Sequence, residues 1–140
     1  MNITELLTDL ASGTNAIIRS EASKLNLTAS QAFHLLLIPF DGIPMSRLAH
    51  RLGLDNSTLT RNIQKLEGLG LIIRKDDSYD RRIQRVILSK KGTSVLLSLE
   101  RNLDETNLAI IDQIDLDTQE NLLTVLEKLS WALDCKREGA

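Results

Sequence analysis

Asp55-Asn-Ser-Thr-Leu-Thr-Arg-Asn-Ile-Gln-Lys-Leu-Glu-Gly-Leu-Gly-Leu-Ile72 is the stretch whose reading decides the fold. Leu59, Ile63 and Leu66 fall three and four residues apart, which puts them on one face of a helix. Asp55 or Asn56 can cap its start, and Gly70 stands where a residue of positive φ closes a helix. Just upstream, a shorter helical pattern holds Leu48, Ala49 and Leu52 and stops at Gly53. Helix, glycine, tight turn and helix in this size read as a helix-turn-helix. Downstream the period changes. Leu71–Arg74 and Arg85–Leu88 are short and β-branched, separated by the polar run from Lys75 to Gln84, so they predict a two-stranded hairpin, a wing. Both strands carry consecutive apolar residues and should be pinned against the helices.

Working outward, Ile3, Leu6, Leu7, Leu10, Thr14, Ile17 and Ile18 recur at helical spacing and predict a first helix of about twenty residues. Asn26-Leu27 ends it. Thr28-Ala-Ser-Gln31 has the form of a capping box, in which the hydroxyl takes one free amide while the glutamine reaches back. The helix behind it runs through Phe33, Leu36 and Leu37 to Ile38, and Pro39 ends it. Asp41-Gly42-Ile43-Pro44 reads as a turn. Helical periodicity returns from Thr93, with Leu96, Leu99, Leu103, Thr106, Ile110 and Ile114 spanning ~30 Å, more than a small winged domain covers. Asp117-Thr-Gln-Glu120 reads as a second capping box, and Leu122, Leu126, Leu129 and Leu133 form the stripe of a last helix. The expected fold is mainly α with a small β-hairpin wing. It is a single domain over 1–140, with a winged helix-turn-helix lobe at 45–92 and long N- and C-terminal helices at 1–25 and 93–137.

Composition sets bounds on function. The 140 residues are 42% hydrophobic and 26% charged, a globular rather than a disordered balance. Aromatics make up 3%, so the core must be aliphatic. No apolar run approaches the ~20 residues of a membrane span. The first residues lack the basic start and apolar stretch of a secretory signal. Cys135 is the single cysteine, so an intrachain disulfide is impossible and a cytoplasmic location is expected. The net charge of −2 argues against a nucleic-acid partner until its distribution is considered. Residues 45–92 hold eleven Lys or Arg against five Asp or Glu, a balance of +6, while the rest of the chain carries −8. A basic middle between acidic flanks is the footprint of a local anionic partner, which a merely solvated surface would not predict.

The stretch 55–72 resembles the recognition-helix segment of the MarR family of bacterial regulators. Asp80-Arg81-Arg82, five residues, then Leu88-Ser89-Lys-Lys-Gly92 resembles that family's wing signature of Asp-x-Arg, five residues, Leu-Thr and Gly, with Ser89 in place of the usual Thr. Leu27-Thr28-x-x-Gln31 is similar to the opening of its second helix. The resemblance implies a sequence-specific duplex-DNA-binding regulator of transcription, a ligand-responsive repressor working as a homodimer on a pseudo-palindromic operator. It implies that the terminal helices are dimerisation helices intertwined with those of a second copy. It also implies a small aromatic or phenolic effector in a cleft between the dimer helices and the DNA-binding lobe. Ile17, Phe33, His34, Leu37 and Phe40 are candidates to line that cleft, and each can equally serve as core.

The DNA-reading residues follow from how a recognition helix enters the major groove, N-terminus first. Ser57, Thr58 and Thr60 supply hydroxyls for phosphates or base edges; the alternative is that Thr58 and Thr60 only cap and pack the turn, and Thr58 reads first as part of the cap. Arg61 can grip guanine bidentately and Gln64 adenine; Lys65 suits a phosphate. Arg47 and Arg51, on the helix before the turn, and Arg74, at the strand end, are candidate phosphate contacts, each with a surface salt bridge as its alternative. Arg81 and Arg82 lie near the end of the wing loop. The resemblance assigns Arg82 to the minor groove, where narrow stretches concentrate negative potential. Asp80 would repel phosphate, so it is read as structural, holding the arginine or the loop.

Catalysis finds no support in the sequence, and no enzyme activity and no cofactor are expected. His34 and His50 are the two histidines and neither has a nearby cysteine, so a metal site is not expected. No glycine-rich phosphate loop or nucleophile elbow occurs. The rival reading is a protein-interaction module that keeps the winged-helix fold without binding DNA.

Overall fold

A computed structural model describes residues 1–138. Its elements are α1 (Ile3–Lys24), α2 (Ala29–Leu36), β1 (Ile43–Pro44), α3 (Met45–Leu52), α4 (Asn56–Gly68), β2 (Ile72–Asp76), β3 (Gln84–Leu88), α5 (Lys90–Ile111) and α6 (Leu116–Glu138). They fall into two compact units, one running Met1–Leu103 and the other from Asp104 onward.

The helix starts follow from their caps. Asn2 opens α1: its carboxamide accepts from Glu5 N at 2.9 Å while the Glu5 carboxylate accepts from Asn2 N at 3.1 Å. The same reciprocal pair joins Thr28 and Gln31 at the start of α2. These bonds occupy amides that the first helical turn leaves free. After α1 the chain turns through Asn26 at φ 59°. Gly53 ends α3 at φ 67°, a conformation that costs a residue without Cβ nothing and lets α4 start three residues later.

β1, β3 and β2 form an antiparallel sheet in that spatial order. Ile73 faces Ile87 and Arg74 faces Val86 across the hairpin, and Ile43 faces Val86 on the other side of β3. The segment Asp41–Pro44, expected to be only a turn, therefore contributes a third strand. Its two residues are too few to show alternation. The hairpin strands also run further into the polar segment than their apolar residues indicate, β2 to Asp76 and β3 from Gln84.

The core of the first unit is aliphatic. Leu35, Leu48, Leu59, Ile63, Leu66, Val86 and Leu99 are essentially inaccessible to solvent, each burial stabilising by roughly 1.5–3 kcal/mol. Leu59, Ile63 and Leu66 are thus the buried face of α4, leaving its other side to solvent. α5 begins at Lys90, three residues before its apolar period, because Ser89 caps it: the Ser89 hydroxyl accepts from Gly92 N at 2.9 Å and donates to Gly70 O at 2.6 Å. Gly92 packs so tightly that a Cβ there would overlap the Leu71 carbonyl.

In the second unit, Asp115 rather than Asp117 caps α6. Its carboxylate accepts from Thr118 N at 2.9 Å and from the Thr118 hydroxyl at 2.8 Å. Asp117 falls instead in the first turn, beside the positive end of the helix dipole. Gln119 Nε2 donates to Ile114 O at 2.6 Å and Ile111 O at 3.0 Å, closing the turn between the helices. α6 buries none of its residues; Leu123 and Trp131 are largely exposed, and the expected stripe of Leu122, Leu126, Leu129 and Leu133 is half-buried or exposed.

Candidate nucleic-acid interface

The first turn of α4 is organised by Asp55. Its carboxylate accepts from Thr58 N at 2.7 Å and from the Ser57 hydroxyl at 2.8 Å. The Thr58 amide first, then the Ser57 hydroxyl, hold that carboxyl down to about 2, with Arg61 adding a favourable charge. The Thr60 hydroxyl donates to Asn56 O at 2.8 Å. The Ser57 and Thr60 hydrogens are thereby committed within the helix, so in this geometry the two hydroxyls present lone pairs outward. Phosphate oxygens need donors, which these two hydroxyls do not offer in this geometry. Arg61, Gln64 and Lys65 are exposed. Arg61 lies three and four positions from the other two, so all three share the outward face of α4.

The wing loop is built on two aspartates. Asp77 accepts from Tyr79 N and Asp80 N at 3.0 Å each, and its backbone N donates to Ile83 O at 2.8 Å. Arg85 from β3 lies 3.5 Å from the Asp77 carboxylate and also donates to Asp41 O at 3.4 Å, tying the loop to the segment before β1. Asp80 accepts from Arg82 three times, from its backbone N, its Nε and its Nη2, all at 3.0 Å. The Arg82 guanidinium holds the Asp80 carboxyl below the usual carboxylate range, and Asp80 in turn raises Arg82. The Arg82 side chain is 90% exposed. Its two N–H groups on Asp80 leave three of the five guanidinium donors free to meet a partner. Arg81 is exposed beside it.

Other candidates separate into outward and inward cations. Arg47 is exposed on α3. Arg74, expected either at a phosphate or in a salt bridge, pairs with Glu67 at 2.9 Å, both side chains mostly buried. β2 leaves α4 directly through Gly70 and carries Arg74 back alongside the end of that helix. Arg51 donates to Leu37 O at 2.9 Å, satisfying a carbonyl at the end of α2. Arg82, Ile83 and Gln84 share a cleft of about 400 Å³ with Ser46 at the start of α3 and Asn56 and Thr60 at the start of α4. Ser46, Asn56 and Gln84 were not singled out by the sequence. Asn56 carried a signal, as the alternative cap that Asp55 leaves outward; the other two did not.

A second cleft, of about 630 Å³, lies along α1 and α2. Phe33 and His34 line it, with Leu10, Thr14 and Arg19. Three other candidates for this cleft lie elsewhere. Ile17 and Leu37 pack on the core, and Phe40 is 90% exposed. α2 ends at Leu36, and the turn closed by Gly42 N on Pro39 O carries Phe40 away. His34 is buried. Its Nδ1 lies 2.6 Å from Ser30 O, and its Nε2 lies 3.2 Å from Asn62 Nδ2 of α4. Burial pushes its pKa below the ordinary imidazole value, outweighing the bond to Ser30. Among the described residues no group of three or more His, Cys, Asp or Glu is placed to hold a metal ion, and no helix is long and apolar enough to cross a membrane.

The MarR family model matches residues 27–84. The chain superposes on the crystal structure of the transcriptional regulator SlyA with a TM-score of 0.81 at 23% identity, over 99% of this chain and 98% of that one. It superposes on the crystal structure of MarR with a TM-score of 0.84 at 22% identity, over 100% and 96% of the two chains. A third match, at 0.75 and 18% identity over 94% and 98%, is the S. aureus MepR–DNA complex. Residues 27–84 thus match the MarR family model, and the solved structures share the chain's winged helix-turn-helix fold along nearly its whole length.

Proposed function

We propose that this chain is a transcriptional regulator that binds duplex DNA sequence-specifically as a homodimer. The observation that carries the reading is the Asp80–Arg82 fork, which presents a guanidinium at the wing while Arg82 shares a cleft with the first turn of α4. A pre-set arginine beside an exposed helix face with Arg61, Gln64 and Lys65 suits one probe for the minor groove and one for the major groove. MepR, which shares this fold, was solved in complex with DNA, and SlyA, which also shares it, is a transcriptional regulator; both support the same use here. In this reading Arg47, Arg81 and Lys65 neutralise phosphates, and Arg61 and Gln64 read bases.

The dimer is supported by apolar side chains exposed on each terminal helix: Ile3 and Leu10 on α1, Leu108 on α5, and Leu123 and Trp131 on α6. Such faces suit a second copy of the chain. Two recognition helices then address sites ~34 Å apart, one turn of duplex, and the operator is a pseudo-palindrome. A small apolar effector in the cleft lined by Phe33 and His34 relieves repression if it favours a dimer whose reading helices miss that spacing. The protein works in the cytoplasm, as a binding protein rather than an enzyme.

Selection of bound duplexes from random sequence tests the proposal. It predicts enrichment of two inverted half-sites with centres about 10 base pairs apart. Absence of any enriched sequence supports the protein-interaction module instead.

A further inference from the structure

His34 and Asn62 lie 28 positions apart, yet they form a side-chain bond between α2 and α4. Ser30 O can only accept, so His34 Nδ1 carries the hydrogen and donates at 2.6 Å. In the neutral ring Nε2 is then a pure acceptor, and it faces the Asn62 amide nitrogen. Asn62 lies on α4 between Arg61 and Ile63, adjacent in sequence to an outward-facing cation and a wholly buried core residue.

We propose that His34 is a positioning residue for α4: its neutral ring holds Asn62 and so sets the DNA-reading helix, and protonating the ring releases it. The part concerning DNA rests on the function proposed above. An added proton turns Nε2 into a donor aimed at a donor. Rotation of the Asn62 amide would present its oxygen, but the charge would stay buried with no counter-ion among the residues of the two clefts beside it. Among the residues lining the two clefts beside the ring the charged ones are cationic: Arg19 of α1 in the larger cleft and Lys65 of α4 in a smaller one of about 160 Å³, while α3 supplies Leu52. Among the described residues lining these two clefts there is no carboxylate. The imidazolium is therefore relieved only by moving toward solvent, which breaks the link to α4. Unfolded chains take the proton near 6.5, and the folded ring takes it at lower pH, so the native arrangement is fully stable above 6.5 and weakens as pH falls below it.

The test pairs two readouts between pH 5 and 8: NMR signals of the Asn62 side-chain amide and the α4 backbone, and anisotropy of a labelled duplex carrying the enriched palindrome. In the wild type the α4 signals are expected to follow the His34 titration, with affinity falling over the same interval by up to about tenfold per pH unit. His34→Gln keeps an acceptor for Asn62 and cannot titrate there, so both responses should vanish. Asn62→Ala, which leaves His34 in place, should uncouple α4 from the ring's titration and guards against a misfolded glutamine variant. Signals of α4 that ignore the His34 titration, or an unchanged acid response in both variants, overturn the proposal. If α4 follows His34 but the wild type binds no duplex at pH 7.5, the positioning role stands and the DNA function fails.

Discussion

Asp80 and Arg82 give opposite predictions under two simple views of the wing. If charge alone mattered, removing an acid from a DNA-facing loop would tighten binding. In the geometry here Asp80 holds the Arg82 side chain through two 3.0 Å bonds. Asp80→Asn should therefore weaken binding, by on the order of tenfold in anisotropy titrations. Because the Asp80 carboxyl is held below its ordinary range, the fork is complete at neutral pH and is lost only as pH falls through that lowered value. Arg74 carries a contrasting prediction. Its charge is already paired with Glu67, so Arg74→Ala should leave the dependence of affinity on salt nearly unchanged. Arg81→Ala or Lys65→Ala should each reduce the log–log slope by about 1. The Asp80–Arg82 spacing was legible in the sequence because both partners lie within one short loop. The pairing of Arg74 with Glu67 was not, since it depends on how β2 folds back beside α4.

Elements announced by their own neighbours were the most legible. The boxes and stops at Thr28, Gln31, Gly53 and Gly70 act within a few residues of backbone, and the helices follow them. β1 escaped because two residues, one of them a proline without an N–H, become a strand only when β3 arrives beside them. The α6 cap shifted to Asp115 because an aspartate three residues before Thr118 takes both its amide and its hydroxyl. Gly92 marks another non-local demand, the close passage of α5 over the Leu71 backbone. Gly92→Ala should lower stability by about 3 kcal/mol in urea unfolding, since backbone must move to admit the methyl. Leu48→Ala, in the core under the helix-turn-helix, should cost a comparable ~3 kcal/mol by opening a cavity.

At the scale of the whole molecule, the sequence divides its charge, with +6 across residues 45–92 and −8 elsewhere. That division suits an anionic partner on the winged lobe and leaves the terminal helices to another task. Their exposed apolar residues suit self-association, so Trp131→Lys should shift the protein toward monomer in analytical ultracentrifugation. Unchanged mass would remove α6 from the dimer. The cleft along α1 and α2 was the least legible feature, because a residue such as Ile17 or Leu37 has the same apolar character whether it lines a cavity or fills the core. The central claim is that the outward face of α4 and the wing grip duplex DNA together. Fluorescence anisotropy of the selected duplex with wild type and with the Arg61→Ala/Arg82→Ala variant tests it most directly. The prediction is salt-dependent, sequence-specific binding that the double variant loses by about a hundredfold or more; binding of undiminished affinity in that variant would contradict it.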